Sequence, residues 1–98
     1  MDEGYVERVL GLVEQIPIGR VLSYGRIAEH LAEGYGPRYV GSIMSRFGHG
    51  VPWWRVVRAD GSMPPALMGE AQVHWQEEST PVRNGRVDMR EAVWPITE

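Results

Sequence analysis

The sequence of 98 residues contains no cysteine. This absence excludes disulfides, thiolate metal sites and a cysteine nucleophile. The three histidines, His30, His49 and His74, are scattered along the chain, so we expect no metal site and no other cofactor. Lysine is also absent, and every basic side chain is therefore an arginine.

Long apolar runs are absent too, and none approaches the roughly 20 residues that a membrane-spanning helix needs. The acidic N-terminus, residues 1–5, lacks the basic and apolar regions of a signal peptide. These features predict a cytoplasmic protein without a membrane partner. The length fits one compact domain over residues 1–98, which we expect to be monomeric.

Charge is distributed unevenly along the chain. The net charge of −3 argues at first against a nucleic-acid partner. Residues 20–58, however, carry six arginines against two glutamates, a net of +4, whereas residues 1–19 and 59–98 have nets of −3 and −4. A basic segment between two acidic ones is typical of a face that binds nucleic acid.

Apolar periodicity predicts a mostly α-helical fold. A first helix is predicted over residues 3–15, where apolar side chains recur at helical spacing. Ser23 is a candidate N-cap for a second helix, and a third is predicted over 38–47. Together they outline a helix-turn-helix at about residues 23–47. Any two short amphipathic helices would give a similar pattern, so the outline alone is weakly specific.

The second half of the chain contains fewer periodic signals. Residues 55–58 predict a short extended stretch that a turn at Asp60-Gly61 closes. A fourth helix is predicted over residues 66–78. Asn84-Gly85, between two short stretches rich in valine and arginine, predicts a β-hairpin.

Three separated segments carry a resemblance to a known family. They are Ile-Pro-Ile-Gly-Arg-Val-Leu-Ser-Tyr-Gly at residues 16–25, Pro-Arg-Tyr-Val-Gly at 37–41, and Pro-Trp-Trp-Arg-Val-Val at 52–57. Their order resembles that in the C-terminal DNA-binding domain of the O6-alkylguanine-DNA alkyltransferases, whose active-site motif is Pro-Cys-His-Arg-Val-Val. Trp53 and Trp54 stand where that motif has its reactive cysteine and its histidine. The exchange resembles the alkyltransferase-like proteins, which are non-enzymatic relatives.

The resemblance implies roles for individual residues on DNA. Arg38 is expected to enter through the minor groove and fill the space left by a flipped nucleotide, as its long stem and hydrogen-bonding fork allow. Tyr24 is expected to crowd the phosphate beside the lesion. Ser23, Tyr39 and Ser42 are the other expected DNA contacts, and Ser23 combines this with its cap role because helix N-termini bind anions.

The resemblance also implies a pocket for the flipped base. Its expected lining is Tyr24, Trp53, Ala66 and Leu67, with Trp53 as an aromatic floor. Without the resemblance, Tyr24 would be interpreted as packing and Trp53 as filling core volume. For Trp54 the core interpretation is preferred in either case, and Arg55 matches an internal structural tie in the family.

The leading hypothesis is a non-enzymatic sensor of DNA damage. It would bind double-stranded DNA containing O6-alkylguanine, flip the base and flag it for nucleotide excision repair, whose proteins are candidate partners. A helix-turn-helix regulator without lesion specificity is the alternative, but it needs base-reading side chains along residues 38–47, where serines and apolar residues dominate. An enzyme with another nucleophile is a third, although no Asp, Glu, His or Ser in the 52–57 segment replaces the cysteine.

Overall fold

The computed structural model describes residues 1–97, and the mostly helical fold predicted from the sequence is confirmed. Two 3-10 turns, Gly48–Gly50 and Trp53–Arg55, separate its two halves. The regular elements are, in chain order, α1 (Glu3–Gln15), β1 (Leu22–Ser23), α2 (Tyr24–Leu31), α3 (Pro37–Phe47), β2 (Val56–Val57), α4 (Pro65–Glu77), β3 (Val82–Arg83), β4 (Arg86–Val87) and α5 (Met89–Ala92).

The first three helices begin at residues suited to helix starts. The Asp2 side chain caps α1 by accepting a hydrogen bond from the Tyr5 amide. Ser23 caps α2 in the same way, accepting from the Arg26 amide, as the sequence predicted. Proline occupies the first position of α3, where its missing N–H costs no helical hydrogen bond. These local signals explain why the sequence located α1, α2 and α3 to within a residue or two.

A short parallel pairing between β1 and β2 was not predicted. Leu22 lies opposite Val56, and Ser23 lies opposite Val57. Two-residue strands are too short to show a period, and these partners are far apart in sequence. Arg55 was wrongly placed in the extended stretch, because it belongs to the 3-10 turn that precedes β2.

Alternation along β2 divides the buried side chains between two clusters. Val56 joins a first cluster among α1, α2 and α3, whereas Val57 joins a second cluster around Trp75 of α4. Side chains of successive strand residues point to opposite faces of the strand, so the adjacent Val56 and Val57 pack into different clusters. Trp53 packs against both clusters. The third segment of the family resemblance, residues 52–57, therefore lies at the junction of the two clusters.

The C-terminal third follows the sequence signals in part. α4 lies one residue earlier than predicted, and the hairpin turns at Asn84 and Gly85, both with φ in the left-handed region. The single turn α5 was missed, since four residues show no helical period. Within residues 1–97, no helix is long and apolar enough to cross a membrane, and no three acidic or histidine side chains group as metal ligands.

Candidate nucleic-acid interface

A cavity of about 520 Å³ lies where α2 begins and where α3 and α4 approach each other. Its volume falls within the roughly 300–1,000 Å³ of small-molecule sites. The four residues that the sequence assigned to a pocket all line it, and they are Tyr24, Trp53, Ala66 and Leu67. The structure thus brings together side chains from three different parts of the chain. The remaining lining residues are Gly41, Met44, Ser45, Gly48, His49, Met63, Pro64 and Glu70.

Small residues on α3 form one wall of the cavity. Gly41 and Ser45 lie four residues apart on one face of α3, and Gly48, which caps the helix at its C-terminal end, follows three residues later. A Cβ on Gly41 would lie 4.0 Å from Cδ1 of Tyr24, an ordinary contact distance, so the Tyr24 ring packs beside this part of the helix. Sequence reasoning missed this face, although the spacing of its small residues was a usable signal.

Tyr24 follows the Ser23 cap directly and is half-buried at the cavity edge. Burial raises the pKa of its hydroxyl, and the positive charge of Arg58 opposes that shift. The hydroxyl therefore stays protonated at neutral pH and can donate a hydrogen bond to an anionic oxygen. Its position at the start of α2 also puts it beside an N-terminus that attracts phosphate.

Two tryptophans and a histidine form an aromatic group beside the cavity. The ring of Trp54 stacks on His74 of α4 with centroids 3.6 Å apart and an angle of 6°. The Trp53 ring meets both of them edge-on, at 5.7 Å from Trp54 and 5.9 Å from His74. The Trp53 ring thus lines the cavity and is held from behind by Trp54 and His74. Trp54 is a packing residue, as the sequence analysis preferred. His74 was missed because it lies far from the tryptophans in sequence.

The residues after Trp53 are tied into the protein by a charged network. Arg55 donates two hydrogen bonds to Glu78, of 3.0 and 2.6 Å, and a third of 3.0 Å to the carbonyl of Ile16. Trp54 donates its indole N–H to the same carboxylate at 2.8 Å. Burial opposes ionisation of Glu78, but the bonds from Arg55 and Trp54 outweigh it and lower its pKa. Arg55 has the internal structural role that the sequence indicated.

Exposed side chains on α3 extend the site toward solvent. Arg38 is the second residue of the helix, and its exposed side chain makes no hydrogen bond or ion pair within residues 1–97. Ser42 lies exposed one turn later, and Arg46 lies over the ring of Phe47 at 5.5 Å. The start of α3 therefore offers an exposed cationic side chain three residues before Gly41, which lines the cavity.

Tyr39 has a different environment from its neighbour Arg38. Its ring stacks on Tyr35 at 4.2 Å, and its hydroxyl accepts a hydrogen bond from the Asp2 amide at 2.8 Å. The Tyr35 hydroxyl donates to the Asp2 carboxylate, a bond that raises the pKa of Tyr35 to about 12. These contacts attach α3 to the start of α1. A DNA contact by Tyr39 stays a prediction.

Solved structures resemble this arrangement over nearly the whole chain. The structure of S. pombe Atl1 in complex with damaged DNA containing O6-carboxymethylguanine matches with a TM-score of 0.83 and 26% identity, covering 98% of each chain. A structure of S. pombe ATL in complex with DNA matches with a TM-score of 0.81 and 27% identity over the same shares. The likeness extends well beyond the helix-turn-helix segment.

Relatives at the sequence level agree with these structures. The DNA base-flipping protein of Escherichia coli (strain K12) is 29% identical, over 95% of this chain and 76% of its own length. A DNA base-flipping protein of Vibrio parahaemolyticus is 31% identical over 64% of each chain. The model of the 6-O-methylguanine DNA methyltransferase DNA-binding domain matches residues 5–79. The chain therefore belongs to that family, and the resemblance to its alkyltransferase-like members is confirmed.

Proposed function

We propose that this chain is a non-enzymatic sensor of DNA damage. It binds double-stranded DNA containing O6-alkylguanine through the minor groove, flips the modified base into the cavity beside α3 and α4, and flags it for nucleotide excision repair. The observation that carries this proposal is that Trp53 lines the cavity. The resemblance of residues 52–57 to the alkyltransferase motif assigns the place of the alkyl-accepting cysteine to this same residue. A cavity with an aromatic wall and no thiol can hold the base but cannot accept its alkyl group.

Named relatives support the same function. The E. coli and V. parahaemolyticus relatives are called DNA base-flipping proteins, and the S. pombe protein was crystallised on DNA with an O6-alkylated guanine. The chain matches the E. coli relative and the S. pombe structures across almost its whole length. The cavity and the start of α3 therefore serve here to hold a flipped base on damaged DNA.

The energy needed for flipping sets what the site must supply. Unstacking a base costs a few kcal/mol. Stacking of the flipped base on Trp53 returns about 1–3 kcal/mol. A charged, hydrogen-bonded Arg38 in the vacated stack adds about 1.5–3 kcal/mol. Stacking on Trp53 and insertion of Arg38 together offset the free energy of unstacking. Either contribution alone would offset it barely or not at all.

The remaining DNA contacts follow from positions at helix starts. Ser23 and Tyr24, at the N-terminus of α2, lie where backbone N–H groups and the helix dipole attract a phosphate. Ser42 extends the contact along α3. Tyr39 completes the set if its hydroxyl exchanges the Asp2 amide for a phosphate.

Binding to matched duplexes with and without one O6-methylguanine tests the proposal directly. We expect the lesion duplex to bind about ten-fold or more tightly than the unmodified duplex. The modified base costs less free energy to unpair, and once flipped it stacks on Trp53. Fluorescence anisotropy with unlabelled competitors measures the ratio. Equal affinity for the two duplexes would contradict the lesion sensor and favour a regulator without lesion specificity.

No alkyl transfer is expected from this protein. Incubation with DNA carrying a labelled O6-methyl group should leave the label on the DNA, because the chain has no cysteine to accept it. Scintillation counting of the separated protein checks this outcome. Trp53→Cys should not restore transfer, since Trp54 occupies the place of the histidine that activates the thiol in the family. Label on the wild-type protein would exclude a purely sensing role.

Trp53→Ala is expected to reduce lesion preference selectively. The variant loses the ring on which the flipped base stacks, so the affinity ratio between lesion and plain DNA should fall by about five-fold or more. Affinity for undamaged DNA should change little. Trp94→Ala is the matched control, because Trp94 is a half-buried tryptophan outside the cavity lining. If the Trp53 variant kept full lesion preference, Trp53 would be a packing residue only.

Three further expectations from the sequence stay predictions. They are the cytoplasmic location, the monomeric state and the extent of the domain over residues 1–98. We propose a nucleotide excision repair protein as the partner, without naming an individual protein. The test compares binding of repair proteins to the complex with lesion DNA and to the free chain.

A further inference from the structure

The cavity wall carries one fixed negative charge. Among the residues of the described chain that line it, Glu70 is the single carboxylate, and none is an arginine. The rest of the lining is mostly apolar, as Met44, Met63 and Leu67 illustrate, and its other polar side chains are those of Tyr24, Ser45 and His49. A substituent on a flipped base would therefore meet apolar side chains, three polar side chains without a carboxylate, and the single carboxylate of Glu70.

The register of α4 places Glu70 on the side of the helix that faces the site. Ala66, Glu70 and His74 follow at intervals of four residues and share one helix face. Ala66 lines the cavity, and the His74 ring lies 5.9 Å from the Trp53 ring. Glu70 therefore lies between the cavity edge and the aromatic group.

No neighbour neutralises this carboxylate. Within residues 1–97, Glu70 forms no ion pair and no side-chain hydrogen bond, and its side chain is exposed. By contrast, Glu78 on the chain just after α4 is held by Arg55 and Trp54. The negative charge of Glu70 is thus available to act on whatever enters the cavity.

We propose that Glu70 makes the pocket selective for neutral O6-alkyl groups on guanine and against anionic ones such as carboxymethyl. This inference rests on the proposed function, since it concerns the base held in the same cavity. Two carboxylates a few ångströms apart repel each other more strongly beside a protein surface than in bulk water. The contrast is with S. pombe Atl1, whose complex contains O6-carboxymethylguanine.

Three lesions in one duplex sequence test the proposal. O6-methylguanine establishes lesion binding, while O6-hydroxyethylguanine and O6-carboxymethylguanine compare a neutral with an anionic substituent of similar length. For the wild-type chain we expect carboxymethyl to bind about ten-fold more weakly than hydroxyethyl. Glu70→Gln should bring the two affinities to within about two-fold, and Glu70→Lys should reverse their order, because a cation then faces the substituent.

Glu77→Gln is the matched control. Glu77 lies on the same helix and nearly the same face, two turns or about 10 Å further from the cavity end. That distance exceeds the Debye length of about 8 Å at physiological salt, so its charge is largely screened. The control changes the net charge equally and should keep the ten-fold discrimination.

The outcomes separate this inference from the proposed function. Discrimination that disappears in Glu70→Gln and survives in Glu77→Gln supports the role of Glu70. Equal binding of the two substituents by the wild type, or discrimination unchanged in Glu70→Gln, overturns it while lesion sensing stands. Failure to prefer O6-methylguanine over guanine removes both.

Discussion

Arg38→Ala is expected to weaken binding to O6-methylguanine DNA by about ten- to a hundred-fold. In the proposed complex the flipped base leaves a gap in the stack, and Arg38 fills it from the start of α3. Losing a charged, hydrogen-bonded group from a desolvated position costs about 1.5–3 kcal/mol, which corresponds to that change in affinity. The free protein should be nearly unaffected, because the Arg38 side chain is exposed and makes no hydrogen bond within residues 1–97.

Two measurements separate intercalation from a simple phosphate contact. Anisotropy titration gives the affinity, and 2-aminopurine beside the lesion reports unstacking through its fluorescence. Arg46→Ala is the control on the same helix, since Arg46 is also exposed and lies over Phe47. It should weaken lesion and plain duplexes to a similar, smaller extent. An Arg38 variant with wild-type affinity and an unchanged unstacking signal would show that Arg38 does not occupy the gap.

Arg55→Ala should lower the free energy of unfolding by about 3–5 kcal/mol, the cost of leaving a buried partner charge unpaired. The Arg55 and Glu78 side chains are 13% and 12% exposed, and their shortest N–O distance is 2.6 Å. The variant also frees the Ile16 carbonyl from its hydrogen bond. Urea denaturation followed by tryptophan fluorescence measures the loss. Because the 3-10 turn carrying Trp53 is tied through Arg55, lesion preference should fall as well.

An exposed ion pair provides the control for this prediction. Arg86 and Asp60 lie 3.1 Å apart with side chains that are 49% and 55% exposed. Arg86→Ala should change stability little, because solvent screens such a pair. A similar loss in both variants would mean that arginine removal in general, and not the buried network, explains the effect.

The Arg55 effect should depend on pH in a defined direction. The pKa of folded Glu78 is lowered, despite burial that opposes ionisation, by hydrogen bonds from Arg55 and Trp54. The ion pair therefore stabilises the fold in full above the ordinary pKa of a glutamate, and this contribution is lost as the pH falls through the lower folded pKa. The difference in stability between wild type and Arg55→Ala should accordingly shrink on acidification. A difference that stays constant down to about pH 3 would contradict the role of the Glu78 charge.

The sequence by itself determined the parts that depend on neighbouring residues. Apolar spacing located α1, Ser23 marked the start of α2, and Asn84-Gly85 marked the hairpin, because each signal acts within a few residues. The absence of cysteine and the Trp53-Trp54 pair are likewise facts of the sequence. Together with three ordered segments, they were sufficient to identify the family and to name four residues that line one cavity, whose role in holding a lesion stays a proposal.

The tertiary structure decided what depends on contacts between distant residues. The pairing of Leu22 with Val56, the stacking of Trp54 on His74, and the bonds from Arg55 to Glu78 each join segments more than 15 residues apart. No local period encodes such contacts, because they form only when the two buried clusters pack around Trp53. Glu70 is the clearest case. In the sequence it is one helix carboxylate among several, and only the packing of α4 beside α3 puts its charge at the cavity.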